Sequence, residues 1–281
     1  MAMMNLHSAY WRDGYLICEK LVDAATVQAL RDETVAIVCG QRGAIQGVVP
    51  QEHTDETALR EVLAIHFPHK ISPLMHAMLA YPAIVDVLTQ IIGPDVKAMQ
   101  SMLFVKNAGK PGQAWHQDET FIPTTDRSLV GVWIALDEAT IDNGCLWIQP
   151  GSHLHGHLWP SQSMNDPRFD GAPESVGWES EFGPREGGIA AEVPAGSVVF
   201  FNGYTLHRSL DNRRRSGYRR ALVNHYMSAH SQLPWRFGSS KYAPDDYRDI
   251  EMVAGSDPFA ERGLENLAQP FLRPESTRDM P

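Results

Sequence analysis

Apolar positions recur with two different periods along the chain, and the change falls near residue 97. Residues 23 to 38, DAATVQALRDETVAIV, repeat apolar side chains at helical spacing behind Asp23, which predicts a helix with that aspartate as N-cap. A second helical region is expected from about Ser72 to Ile92, with Pro73 near its start, a break at Pro82 and a stop at Gly93-Pro94. Beyond Lys97 the pattern changes to short apolar runs separated by Gly, Pro, Asn and Asp: AMQSMLFVK, LVGVWIALD, GCLWIQP, GSVVFFNG and RALVNHYM. These predict strands. Helices precede the strands rather than alternating with them, so the expected fold is mostly β with a helical buttress: a double-stranded β-helix of the jelly-roll, cupin-like type.

One domain is expected over residues 1–281, with an α-rich part over 1–96, the jelly-roll core over 97–230 and a C-terminal tail over 231–281. Inside the core, residues 156–188 hold Pro160, Pro167, Pro173 and Pro184 among many glycines, serines and acids, too irregular a pattern for a strand. They read as an insertion loop, either a substrate lid carrying Trp159 and Trp178 or a passive excursion. The tail beyond Pro244 is polar and carries no readable role.

Composition narrows the function classes. Hydrophobic residues make up 43% and charged residues 21% of the chain, ordinary for a globular protein with a sizeable core. The formal charge of -10, with 34 acids against 24 bases, disfavours a general nucleic-acid binder, which needs a basic surface to neutralise phosphates. Arg213, Arg214 and Arg215 form one local basic cluster, read as a solvated loop or as a site for an anionic substrate. Three cysteines, Cys18, Cys39 and Cys145, without C-x-x-C spacing indicate neither a disulfide framework nor a zinc ribbon. The start, MAMMNLHSAYWRDGY, lacks a basic segment followed by an apolar one, and no run approaches the roughly 20 apolar residues that span a bilayer. A soluble, cytoplasmic protein without a membrane or nucleic-acid partner is expected.

Candidate chemistry begins at AWHQDETF, residues 114 to 121. On a strand alternate side chains share a face, so His116 and Asp118 project together while Gln117 points away. SVVFFNGYTLHRS delivers a third ligand, His207, just after an apolar strand and a glycine. Two histidines and one carboxylate form a facial triad that leaves three positions of an octahedral ferrous ion open. In RRRSGYRRALVNHYM, Arg219, Ala221 and Val223 share the inward face of the next strand. A buried guanidinium is costly without an anion, and a bound dicarboxylate would supply one through a bidentate fork.

The chain here resembles the phytanoyl-CoA dioxygenase-like family of iron(II)- and 2-oxoglutarate-dependent oxygenases, over most of its length from WRDGYLICEKLVD to GYRRALVNHYMSA. Its most specific parts are WHQD, GVWIALDEATIDNGCLWIQPGSH, VPAGSVVFFNGYTLHRS and GYRRAL. The resemblance implies that His116, Asp118 and His207 bind iron and that Arg219 clamps the distal carboxylate of 2-oxoglutarate, assisted by Ser209. It also implies cosubstrate contacts from Trp133 in GVWIAL, Met102 in QSMLFVK and Lys70 in HKISPLM. The activity implied is hydroxylation of a small organic molecule by O2, with release of succinate and carbon dioxide. Asp118 keeps the carboxylate that related halogenases replace by a small residue, which favours hydroxylation. Two other functions stand against this one: a cupin-like hydrolase or isomerase using zinc or manganese, and a non-catalytic jelly-roll binding module. Arg219 and Ser209 discriminate, since a metal hydrolase has no need for a dicarboxylate clamp.

The remaining histidines read as structural. His153, His155 and His157 in HLHGH alternate as a second metal site would, but PGSH ends a strand in the resembled family, leaving His153 at a rim. His225 is expected to be a hydrogen-bonded core histidine, and His66, His69 and His76 have no spacing that compels a metal. Phe121 and Arg208 are expected near the metal mouth.

Overall fold

The computed structural model describes residues 6–43, 45–47, 55–60, 62–162, 169, 174–175, 187–235 and 246–274. The chain begins with α1 (Leu6–Asp13), β1 (Tyr15–Cys18) and α2 (Ala24–Val38), followed by β2 (Val62–His66), α3 (Pro73–Ala77) and α4 (Pro82–Ile91). The strand-rich part holds β3 (Val96–Asn107), β4 (Gln113–His116), β5 (Val130–Ala135), β6 (Leu146–Ile148), β7 (Ser161–Gln162) and β8 (Glu174–Ser175). It continues through β9 (Ile189–Ala191), β10 (Val198–Asn202), β11 (His207–Ser209) and β12 (Tyr218–Ser228), and β13 (Glu251–Ala254) and β14 (Phe271–Pro274) close the chain.

Two antiparallel sheets face each other. The larger runs β1-β10-β5-β12-β3-β2-β14, with β13 also paired to β3; the smaller runs β4-β11-β6-β9. Strand alternation sorts the large sheet into two apolar faces. Val132 and Ile134 of β5, Val198 and Phe200 of β10 and Leu222 of β12 pack with Leu30 and Ile37 of α2 and Leu88 of α4. Their neighbours Trp133, Ala135, Val199, Phe201, Ala221 and Val223 turn the other way and pack with Leu146 and Ile148 of the smaller sheet. A slip of one residue in any of these strands would exchange the side chains under the helices with those that face the smaller sheet. Each fully buried Val, Leu or Phe contributes roughly 1.5–3 kcal/mol.

The helical buttress forms as its sequence dictates. The Asp23 carboxylate accepts the Thr26 N–H at 2.9 Å, and Gly40, with φ of 73°, ends α2 in a left-handed turn. Pro73–Ile91 is long and apolar enough by composition to cross a membrane, but it is broken into short pieces before Pro82. Met75, Leu79, Ile84 and Leu88 bury themselves against the protein's own sheet.

The partition into an α-rich third, a core and a tail needs correction at both ends. β1 and β2 lie within residues 1–96 yet pair with β10 and β3, and β13 and β14 of the tail pair with β3 and β2. The large sheet is thus assembled from every part of the chain. Of the insertion loop expected over 156–188, most residues, Trp178 included, lie outside those described. Trp159 is buried against Trp115 and Leu206.

Candidate metal centre and anion pocket

β4 ends at His116 and β11 begins at His207, and the two histidines are direct register partners across the small sheet. Their ring centroids stand 4.1 Å apart. Gln117 keeps an extended backbone, and at Asp118 the chain enters a single 3-10 turn, Asp118–Thr120. The strand therefore stops two residues earlier than alternation alone required, but its pleat carries through Gln117 and brings Asp118 to the face of His116. Gln117 points away and fastens the strand: its amide donates to Tyr204 O at 2.8 Å and to His157 O at 3.2 Å, and accepts the Trp159 N–H at 2.8 Å.

One nitrogen of each ring is anchored and the other is presented. Nδ1 of His116 donates to Ala114 O at 2.7 Å, and Nδ1 of His207 donates to Thr205 O at 2.9 Å, which fixes both Nε2 atoms as lone-pair donors. These Nε2 atoms lie 3.6 and 3.5 Å from Oδ1 of Asp118. All three ligand atoms fall within 4.8 Å of one another, and all three residues are buried. Burial, and then the neighbouring His207, push the His116 imidazolium down to about 4, so the ring is neutral at physiological pH. Burial alone would raise the Asp118 carboxyl, but the histidines packed around it, His207 first and then His225, hold it well below the usual range. Two imidazoles and one carboxylate gathered on a common centre are the donor set of a ferrous site with open positions.

His225 completes the geometry. It occupies the same inward face of β12 as Arg219 and Val223, and its Nε2 donates to Oδ2 of Asp118 at 2.9 Å. One carboxylate oxygen is thereby occupied and the other turned toward the histidine pair. As expected, it is a hydrogen-bonded buried histidine, but its partner is one of the three ligand residues.

Further along β12, Arg219 is buried against the ring of Trp133, 5.6 Å from its centroid. Its Nε has no hydrogen-bond partner, and no carboxylate among the described residues pairs with it. Burial pushes its pKa down to about 10, the mark of a desolvated cation without a carboxylate paired to it among the described residues. Phe104, Lys106, Gln113, Ser209 and Arg219 line one pocket of about 270 Å³. Gly112 closes one side of it, where a Cβ would come within 2.0 Å of Ser209 O. Met102 lies two residues from Phe104 on β3, opposite Val223.

Lys70 is placed elsewhere. Its ammonium pairs with Asp249 and, at 3.2 Å, with Asn266, both in the C-terminal segment, and it does not line the pocket of Arg219. Lys106 was the lysine to notice: it follows Met102 and Phe104 at alternate positions of β3 and is the register partner of Arg219. The other histidines form no second metal group among the described residues. His153 bonds Trp11 O at 3.0 Å, and His69 bonds Ser101 Oγ at 2.6 Å. Phe121 is exposed beside His116, whereas Arg208 projects to the outside of the small sheet between Trp115 and Trp147. Arg213 and Arg214 meet Asp142 and Glu138 on the surface.

Comparison with known proteins gives the same picture. Residues 10–221 match the family model described as phytanoyl-CoA dioxygenase (PhyH). The chain is similar to phytanoyl-CoA dioxygenase 1 of Oryza sativa subsp. japonica, 27% identical over 71% of this chain and 80% of that one. It is also similar to a probable alpha-ketoglutarate-dependent hypophosphite dioxygenase of Stutzerimonas stutzeri, 26% identical over 91% of this chain and 87% of that one. Among solved structures, the apoform of EctD from S. alaskensis is 24% identical, covers 85% of this chain and 82% of its own, and has a TM-score of 0.64. The alpha ketoglutarate dependent carbocyclase SnoK from nogalamycin biosynthesis is 21% identical, covers 90% and 97%, and has a TM-score of 0.65. These neighbours share the double-stranded β-helix.

Proposed function

Because the chain belongs to the phytanoyl-CoA dioxygenase (PhyH) family, and is an iron(II)- and 2-oxoglutarate-dependent oxygenase, we propose specific roles for its residues. His116, Asp118 and His207 hold the iron. Arg219 and Ser209 hold the distal carboxylate of 2-oxoglutarate, with Trp133 and Met102 as walls. The reaction is hydroxylation of a C–H bond in a small organic molecule. The observation that carries this assignment is the pairing of a compact two-histidine, one-carboxylate cluster with a buried guanidinium with which no carboxylate among the described residues pairs.

When bound, iron(II) and 2-oxoglutarate supply the activation of dioxygen, the 2-oxo acid leaving as succinate and carbon dioxide. The protein's own part is orientation and exclusion of water. His116 and His207 present their Nε2 lone pairs, each ring held through Nδ1 by the Ala114 or Thr205 carbonyl, and Asp118 presents Oδ1 while His225 holds its other oxygen. Arg219 gives a dicarboxylate a fixed anchor, and the flat face of Trp133 limits where its chain lies. The substrate is a small molecule, as the relatives' names indicate for hypophosphite and the solved EctD complex for 5-hydroxyectoine. A reducing, cytoplasmic setting is part of the proposal, supported by three free cysteines.

Anaerobic addition of iron(II) and 2-oxoglutarate tests it. A weak visible charge-transfer band is expected, together with succinate once air is admitted. Arg219→Met should raise the Kd for 2-oxoglutarate by roughly tenfold or more, the value of a lost charge-assisted bond. A metal-replete sample that gives neither band nor succinate would falsify the assignment.

A further inference from the structure

A serine hydroxyl has one proton to donate and two lone pairs with which to accept. At Ser209 both lone pairs are occupied: Lys106 Nζ donates to Oγ at 2.9 Å, and the Gln113 backbone N–H donates to the same oxygen at 3.3 Å. No acceptor among the described residues takes its proton. The hydroxyl lines the pocket it shares with Arg219, so the one hydrogen bond left to it is donation into that pocket. Lys106 is itself held in place. Its ammonium also donates to Leu210 O, and a Cβ on Gly144, whose φ is 77°, would crowd it at 3.0 Å.

We propose that Lys106 is a positioning residue for 2-oxoglutarate, acting through Ser209. By filling a lone pair of Oγ it prevents the hydroxyl from turning to accept, and makes Ser209 an obligate donor to the distal carboxylate beside the Arg219 guanidinium. Without Lys106 the serine regains a lone pair that would repel a carboxylate oxygen, and Leu210 O becomes a competing acceptor for its proton. This inference rests on the assignment of the Arg219 pocket to 2-oxoglutarate.

The test is binding, not turnover: anaerobic titration of the iron(II)-loaded protein with 2-oxoglutarate, followed by its charge-transfer absorbance. Lys106→Met keeps the chain length and removes the donor, and is expected to raise the Kd for 2-oxoglutarate by roughly tenfold or more. The Kd for 2-oxobutanoate, which has the same 2-oxo acid head and no distal carboxylate, should stay within about twofold. Ser209→Ala should weaken 2-oxoglutarate similarly, and adding Lys106→Met to it should change little, because the lysine works through the hydroxyl. Lys106→Gln, which keeps an N–H donor, should recover part of the loss.

Unchanged 2-oxoglutarate binding in Lys106→Met overturns the proposal, as do independent, multiplying losses in the double variant. Equal losses for both 2-oxo acids in Lys106→Met and in Lys106→Gln also overturn it, since a residue that only supports the fold would behave so. Failure of the parent assignment looks different: wild type and Arg219→Met would then be indistinguishable toward 2-oxoglutarate.

Discussion

At the scale of single residues, the centre depends on which atom of each side chain is already engaged. Asp118 has two oxygens, and His225 takes one of them at 2.9 Å, so the other is turned to the histidine pair. Replacing His225 with Phe frees the carboxylate to rotate and leaves Oδ2 buried without a donor. Iron(II) affinity is expected to fall by roughly 10–100-fold, the usual effect of losing a partner that orients a ligand, and competition with a coloured chelator measures it. Asp118→Ala removes the ligand altogether and should abolish hydroxylation; a variant with near-normal substrate oxidation would take Asp118 out of the ligand set. Much of this was legible in the sequence. Alternation joined His116 to Asp118 and put Arg219, Ala221 and Val223 on one face of β12. The same parity reaches His225 and, on β3, Lys106, but parity names a face and not a partner. Lys70 was illegible for a different reason: its partner Asp249 lies 179 residues away, in a segment with no strand pattern of its own.

At the scale of elements, that contact joins the C-terminal segment to the body of the protein. Asp249 accepts the backbone N–H groups of Leu267 and Ala268 at 2.8 and 2.7 Å, and Lys70 supplies its counter-charge. Tyr247 and Ile250 pack with Met99, Ile122 and Met227, so the segment rests on the loop that follows Asp118. Lys70→Met leaves a buried carboxylate with its backbone donors but no cation. It should lower stability by about 1–3 kcal/mol in urea denaturation and leave the Kd for 2-oxoglutarate unchanged. A weakened Kd with intact stability would instead return Lys70 to the cosubstrate pocket. Four strands of the large sheet that the apolar pattern does not predict, β1, β2, β13 and β14, share one property. Each is only four or five residues long, too short to distinguish strand from helix by period, and each becomes a strand through partners distant in sequence. The long strands β3 and β12, whose patterns extend over many residues, were recognisable without their neighbours.

For the whole molecule, the buried titratable groups set a direction for stability against pH. Burial, reinforced by Arg273, Lys70 and His207 respectively, pushes His66, His69 and His116 from 6.5 down to about 4. Each is neutral in the fold while the unfolded chain would protonate it, so between pH 6.5 and 4 unfolding takes up a proton at each, and stability falls as pH falls. Glu119 works against them. Burial pushes its carboxyl from 4.5 up to about 7, so between these values unfolding releases a proton, and stability rises as pH falls. Where the windows overlap, three histidines against one glutamate leave two protons taken up on unfolding, a slope of at most about 3 kcal/mol per pH unit. For the chelator-treated protein, the urea midpoint should therefore hold near neutrality and drop steeply between about pH 6 and 5. Saturating iron(II) should raise the midpoint at neutral pH and lose that advantage in the same interval, because His116 must be neutral to bind it. A midpoint that stays level from pH 7 to 5 would mean that these histidines accept protons without unfolding, and that the buried neutral environment described for His116 is wrong.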